Sequence, residues 1–251
     1  MDPHLIYQVQ QPHLDLQDYV ECFWMLRNDA ETDKPVVILP DGRVDVFFSK
    51  STIENFHVTL LGIGTSPERT TIAARSVTFA ISFKLPGVEC ILKTSIAHLI
   101  NKGEKQPNDL WTFHENDLLD FDEFCQKATR QLLHSLSRQN DPRKIKLFDL
   151  IYANHGSLSV KELSERVYWS SRQMNRYFLQ MFGLPLKPYC NILRFRASLQ
   201  HIKRGKLFPE ENFTDQSHFI REIKKRSGVL PKTLNQNQND RFIQFSTMPE
   251  K

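Results

Sequence analysis

The 251-residue sequence predicts an α+β protein: an N-terminal β-rich small barrel or sandwich, then an all-α domain of two helix-turn-helix units joined by a long linker helix. Three observations carry that prediction. Residues from about 18 to 90 fall into short aromatic and β-branched runs parted by Gly, Pro and Asn, the pattern of small all-β architectures. From Asp120 onward the apolar spacing turns helical. A weak internal repeat then recurs at an offset of 45 residues, pairing Ser170–Phe178 and Gly183 with Asp215–Ile223 and Gly228.

The strands come first. Tyr19–Leu26 is rich in aromatic and β-branched residues, and Val36–Leu39 leads into the turn signal Pro40-Asp41-Gly42, from which Arg43–Phe48 departs. Phe56–Leu61 and Val77–Lys84 supply further strands, and Ser95–Lys102 reads as a short helix. A firmer helix starts at Asp120, whose side chain can cap it with Glu123, and Phe121, Phe124, Ala128, Leu132 and Leu136 share one face. Gln139-Asn140 ends that pattern and Asp141-Pro142 restarts it, with Pro where its missing N–H costs nothing. The expected organisation is a regulatory, effector-binding or dimerisation domain over 1–138, a second domain over 141–234 and a polar tail over 235–251.

Charge separates the two domains. Residues 141–234 carry 18 Lys/Arg against 8 Asp/Glu, a net +10, while the remainder is net −6. A basic module beside an acidic one is expected when only the first meets phosphates, although a solvated basic surface is the plain alternative. Cys22, Cys90, Cys125 and Cys190 are widely spaced in apolar surroundings, which predicts buried thiols rather than a zinc site or disulfides. No secretory leader and no apolar run near 18 residues is present, so a soluble cytoplasmic protein without a membrane partner is expected.

Within the basic region, Ile145, Phe148 and Ile151-Tyr152 give the first helix an apolar stripe ending near Gly156. Ser159 with Glu162, and Ser170 with Gln173, are two capping boxes around a turn at Val167-Tyr168-Trp169, the layout of a helix-turn-helix. Met174 and Phe178 must point inward, which turns Arg172, Asn175 and Arg176 outward. Arg can donate two hydrogen bonds to guanine and Asn can pair with adenine in the major groove, and a helix N-terminus offers N–H groups to phosphate. One such helix could be an ordinary hairpin with a solvated face; finding the design twice favours nucleic acid. In the second copy Gln216, Ser217 and Arg221 are the outward positions, with His218 beside them. Between the copies, Lys187-Pro188 opens a long helix to about Lys203 with Ile192, Phe195 and Leu199 buried. Arg194, Lys203 and Arg204 on it, with Ser171, Gln173, His218, Lys224 and Lys225, are candidates for backbone phosphates.

Ser170-x3-Met174-x-Arg176-x-Phe178-x4-Gly183 with Tyr189, then Phe213-x-Asp215-Gln216-Ser217-His218-Phe219-x-Arg221 with Gly228 and Pro231, resembles the DNA-binding domain of AraC/XylS-type transcriptional regulators. The resemblance spans about residues 145–234. It implies sequence-specific transcription control on double-stranded DNA, with Arg172, Asn175 and Arg176 in one major groove and Gln216, Ser217 and Arg221 in the next. It also implies RNA polymerase, a small-molecule effector or a second copy of the chain as further partners. Two departures stand out. Tyr168 occupies the place where the family usually has Gly in the first turn. The leading helix of the second unit should fall near 204–212, where Gly205 and Pro209 disfavour it. The second unit is therefore expected to be an abbreviated support carrying an intact recognition helix.

Leu39-Pro40-Asp41-Gly42 and Phe83-Lys84-Leu85-Pro86-Gly87 resemble the N-terminal domains of one AraC-like subgroup, in which case Trp24, Phe47, Phe48, Phe79 and Phe83 could line an effector pocket; an ordinary aromatic core is the alternative. An enzyme is the rival class, but no HExxH, no Gly-x-Ser-x-Gly elbow and no phosphate-binding Gly loop occurs. No catalytic residue, metal site or cofactor is predicted. The acidic cluster Glu115, Asp117, Asp120, Asp122 and Glu123 is read as helix capping and solvated surface. A third reading is a protein-interaction adaptor whose helix pairs no longer bind DNA.

Overall fold

In the computed structural model, residues 3–137, 141–208, 213 and 215–247 are described. Strands β1 (Leu5–Gln10), β2 (Val20–Asn28), β4 (Val44–Lys50), β5 (His57–Leu61), β7 (Ser76–Phe83) and β8 (Gly103–Gln106) build one antiparallel sheet in the order β1-β2-β7-β4-β5-β8, and β3 (Lys34–Ile38) pairs with β6 (Glu68–Ile72) in a second. The helices follow: a single turn α1 (Leu85–Gly87), then α2 (Phe121–Ser135), α3 (Pro142–Ala153), α4 (Val160–Val167), α5 (Ser171–Phe182), α6 (Leu186–Lys203), α7 (Gln216–Ser227), α8 (Pro231–Gln236) and α9 (Ile243–Ser246). A β-rich N-terminal part followed by a helical part is the predicted α+β class.

Strand alternation decides what the central sheet buries, because successive side chains point to opposite faces. Met25, Phe79 and Phe48 share one rung of β2, β7 and β4, and Trp24, Ala80 and Phe47 share the next. Phe48 and Phe79 pack on Phe113, Phe121 and Phe124 at ring distances of 4.6 to 5.4 Å, so α2 covers that face. Ser95–Lys102 does not form the expected helix. Only the 3-10 turn Ala97–Leu99 appears, followed by Asn101 in the left-handed region at φ 56°; burying Ile96 and Leu99 sets this segment, not a helical stripe.

The chain divides into two compact units whose membership does not follow sequence order. One holds Met1–Pro35, Arg43–Gly62 and Thr71–Arg138; the other holds Val36–Gly42, Ile63–Thr70 and Gln139–Lys251. Within the second unit, Val36–Gly42 joins the apolar cluster of the last helices. Leu39 is 1% exposed and clusters with Phe195, Leu199, Ile202, Phe219, Ile223, Leu234, Phe242 and Phe245. The stretch read as a polar tail thus contains two core phenylalanines: its Asn/Gln run forms α8 and a turn, which returns Phe242 and Phe245 to the interior.

Candidate nucleic-acid interface

The first helix pair is built by local rules. Asp141 accepts from the Arg143 backbone N–H at 2.9 Å and starts α3. Ser159 and Glu162 make the reciprocal capping box of α4, and Ser170 and Gln173 that of α5. Those hydrogen bonds hold the Asp141 and Glu162 carboxyls below the usual carboxylate range, the Arg143 side chain acting first on Asp141 and the Ser159 backbone first on Glu162. The turn between α4 and α5 reverses at Tyr168, which sits left-handed at φ 54° and sends its N–H to the Ser164 carbonyl. A glycine would adopt that conformation without strain; here an aromatic residue holds it while 88% exposed. Lys146 lies 5.7 Å from the Tyr168 ring, Arg143 5.2 Å from Trp169 and Lys144 4.6 Å from Tyr177. The basic residues of α3 therefore cover the aromatic rings of the turn and of α5.

Met174, Tyr177, Phe178 and Phe182 bury the inner face of α5, and Gly183 ends the helix left-handed at φ 78°. Arg172 and Arg176 are exposed and make no hydrogen bond or ion pair with any described residue. Ser171 is half-buried, and its carbonyl accepts from Asn175. Asn175 does not join the two arginines. Its amide nitrogen donates to that Ser171 carbonyl at 3.0 Å, and its oxygen accepts the Leu186 N–H at 3.1 Å, capping α6. Turning it outward would strip α6 of a first-turn acceptor, so its amide serves the fold. Gln173 likewise accepts from the Ser170 N–H and hydroxyl. Sequence reasoning passed over Leu179, 47% exposed and one turn beyond Arg176; its helical spacing from Arg172 and Arg176 was the available signal.

The second pair departs from the first. Arg204–Phe208 carry no helix, as Gly205 leads one to expect, and Pro209–Asn212 lie outside the described residues. The recognition-type helix α7 is nevertheless formed: Asp215 accepts from the His218 N–H at 2.8 Å, Phe219 and Ile223 are buried, and Gly228 closes it left-handed at φ 75°. Ser217 and Arg221 are exposed without partners among the described residues. Gln216 donates to the Leu207 carbonyl at 2.8 Å, closing the linker rather than projecting freely. His218 is half-buried with its ring 5.6 Å from Phe213, a packing position.

The candidate phosphate contacts sort the same way. Arg204, Lys224 and Lys225 are exposed, the last two beside the carbonyl end of α7, where positive charge is favoured. Arg194 instead bonds Asn191 and covers the Phe213 ring at 5.6 Å, and Lys203 donates to the Phe245 carbonyl at 3.3 Å. Both fasten neighbouring segments. Arg226 is buried beside Glu222, and burial pushes its guanidinium pKa down against the pull of that carboxylate.

The five aromatic candidates for an effector pocket do not converge. Phe48, Phe79 and Phe83 are fully buried, the first two against α2. Trp24 and Phe47 lie on the opposite face, edge to face at 5.1 Å, and Trp24 donates to Ser82, which in turn bonds Asp45. The period-2 alternation of β4 parts Phe47 from Phe48. The acidic cluster is spent on structure: Glu115 pairs with Lys50, Asp117 with Lys127, and Asp120 caps α2. All four cysteines are buried, and burial pushes Cys125 and Cys190 up to about 12. Among the described residues no cluster of His, Cys, Asp or Glu could hold a metal, and no helix is long and apolar enough to cross a membrane.

Residues 8–104 match a family described only as a domain of unknown function, DUF6597. No curated protein matches the chain. Among solved structures, ToxT from Vibrio cholerae aligns at 12% identity over 90% of this chain and 97% of that one, with a TM-score of 0.44. ToxT of the same organism bound to (E)-4-(8-methylnaphthalen-1-yl)but-3-enoic acid aligns at 12% identity over 81% and 98%, with a TM-score of 0.43. Its unsaturated-fatty-acid-bound wild-type form aligns at 12% over 92% and 95%, with a TM-score of 0.39. At these identities and TM-scores, no property passes from those proteins to this one.

Proposed function

We propose that the chain is an AraC/XylS-type transcriptional regulator, not an enzyme, that binds double-stranded DNA through the outer faces of α5 and α7. The observation that supports this most is the state of three arginines. Arg172, Arg176 and Arg221 stand exposed and unpartnered among the described residues, on two short capped helices whose opposite faces are buried. An arginine on a solvated helix usually gains from a nearby carboxylate; a free guanidinium fork is what bidentate reading of guanine requires. Ser217 completes the outward face of α7, and the exposed Arg204, Lys224 and Lys225 are the candidates for phosphate.

Base and phosphate contacts separate in one experiment. Arg172→Ala or Arg176→Ala should each cost about 1–3 kcal/mol against the preferred sequence and flatten preference at one half of the site. Changing Arg204, Lys224 and Lys225 together to Ala should weaken binding to all sequences alike, because phosphates carry no base identity. Equal losses on all sequences for Arg172→Ala and Arg176→Ala would overturn the base-reading role. The adaptor reading predicts something else: an acidic protein partner would bind, and no duplex sequence would compete better than another.

The β-rich part is the regulatory part in this proposal, sensing a small molecule or pairing two copies. Trp24, half-buried against Phe47 and tied to Ser82 and Asp45, is the natural reporter there. A saturable change in its fluorescence with a candidate effector would support sensing, and none across a ligand panel would favour pairing.

A further inference from the structure

Among the described residues, no short helix leads into α7 as α4 leads into α5. In the first pair, α4 supplies Leu163 and Val167 to the core behind α5. In the second, Arg204–Phe208 form no helix, yet Phe219 and Ile223 are fully buried. The material that buries them includes Phe242 and Phe245, which follow α7, and one residue distant in sequence, Leu39; all three belong to one apolar cluster with both.

The segment carrying Leu39 is held at several points. The Leu39 N–H donates to the Gln244 side-chain oxygen at 2.8 Å, and the Gln244 amide donates to the Leu39 carbonyl at 3.0 Å. Val37 donates to the Arg241 carbonyl and forms a parallel bridge with Phe242. At its other end, the Tyr189 hydroxyl donates to the Gly42 carbonyl at 3.1 Å, and Tyr152 meets that hydroxyl at 3.0 Å. Gly42 is left-handed at φ 78°, and a Cβ there would approach Leu193 and Tyr189 to 3.1 and 3.2 Å, so a side chain at this position would be strained in its backbone and would press on α6. Backbone polar groups that leave water need partners, and here the side chains of Gln244 and Tyr189 supply them. A loop passing by chance would not be bonded at Val37, Leu39 and Gly42 with Leu39 fully enclosed.

We infer that Val36–Gly42, clamped by the segment Arg241–Phe245, serves behind α7 as α4 serves behind α5, and that Leu39 is a positioning residue for α7. This rests on the reading of α7 as a DNA-contacting helix, although the scaffolding itself does not depend on it. Because the segment runs through Arg43 into β4, the second reading head is built partly from sequence that lies ahead of the helical domain.

The test uses the full chain. In Leu39→Ala, amide hydrogen exchange over Phe219–Ile223 should quicken by about 30-fold, the low end for deleting a buried leucine side chain, while exchange over Met174–Phe178 in α5 stays unchanged. Leu39→Met, which conserves volume, should restore slow exchange. Gln244→Ala leaves the core side chains in place and should quicken α7 alone by a smaller factor. On a duplex selected by the wild-type chain, Leu39→Ala should lose protection of the half-site covered by α7 and keep the other. Unchanged α7 exchange, equal quickening of α5 and α7, or failure of Leu39→Met to restore would each overturn the inference. If no duplex is selected at all, the DNA reading fails, and the exchange measurements still decide whether Leu39 positions α7.

Discussion

The helices α5 and α7 share one local design and differ in what supports them. α5 and α7 each begin at a side-chain cap, bury the fifth and ninth positions of the repeat and close on a left-handed glycine. Behind α5 stand the helices that precede it, α3 and α4, with Trp169 tilted against Tyr177, and Phe148 against Phe178 and Phe182. Behind α7 stand Phe195, Leu199 and Ile202 of α6, Leu234 of α8, Phe242 and Phe245, and with them one residue from far away, Leu39. The difference teaches that the buried wall behind a helix of this design can include a residue from far away in sequence as well as the helix's own neighbours.

Breaking the better-supported unit should cost most. Phe178→Ala removes a fully buried ring that contacts Phe148, Tyr177, Phe182 and Tyr189, and should lower stability by about 3–5 kcal/mol in denaturant titration. If the loss were under 1 kcal/mol, the local core would not be what holds α5. Next come the caps, which test whether the two helices truly share a design. Ser170→Ala and Asp215→Ala should each cost about 1 kcal/mol, seen as a shift of the denaturation midpoint; a clear inequality would mean that the non-local wall, rather than the cap, sets where α7 begins.

A change of opposite sign sharpens the comparison at the turn. Tyr168 is left-handed and exposed, so Tyr168→Gly relieves about 1–2 kcal/mol of backbone strain and loses part of it to chain entropy. A net gain of up to about 1 kcal/mol is expected by thermal unfolding, after loss of the Lys146 contact with the ring. The smallest effect is on pH. The Glu162 and Asp141 carboxyls are held down by their cap partners; a depressed folded-state pKa stabilises above the unfolded value and that stability is lost as pH falls through the folded one. Amides at the starts of α3 and α4 should therefore lose exchange protection as pH drops below about 4. Protection unchanged down to pH 2 would remove the carboxylate caps from the account.

What the sequence made legible was local. The capping boxes at Ser159 and Ser170, the Asp215 cap, the inward Met174 and Phe178, the long α6 and the strands at β2, β4, β5 and β7 all follow from spacing within a dozen residues. The polar edge strands β6 and β8 left no apolar alternation to read. Asn175 was assigned outward by periodicity, but its short amide can turn back to the first N–H of α6, a partner that becomes visible only in three dimensions. Leu39 was read as the end of a strand ahead of a turn, and Phe242 and Phe245 were hidden in a polar tail. Nothing in either stretch names the other, because their meeting depends on chain separated by some 200 residues.

The central claim is that both helices read DNA, and selection of random duplexes on the full chain at fixed salt with competitor DNA tests it most directly. Two conserved motifs spaced by about one helical turn, roughly 34 Å, are predicted, the stronger one weakened by Arg172→Ala and the weaker one by Arg221→Ala. A single short motif would contradict base reading by α7, and a pool without enrichment would contradict the claim as a whole.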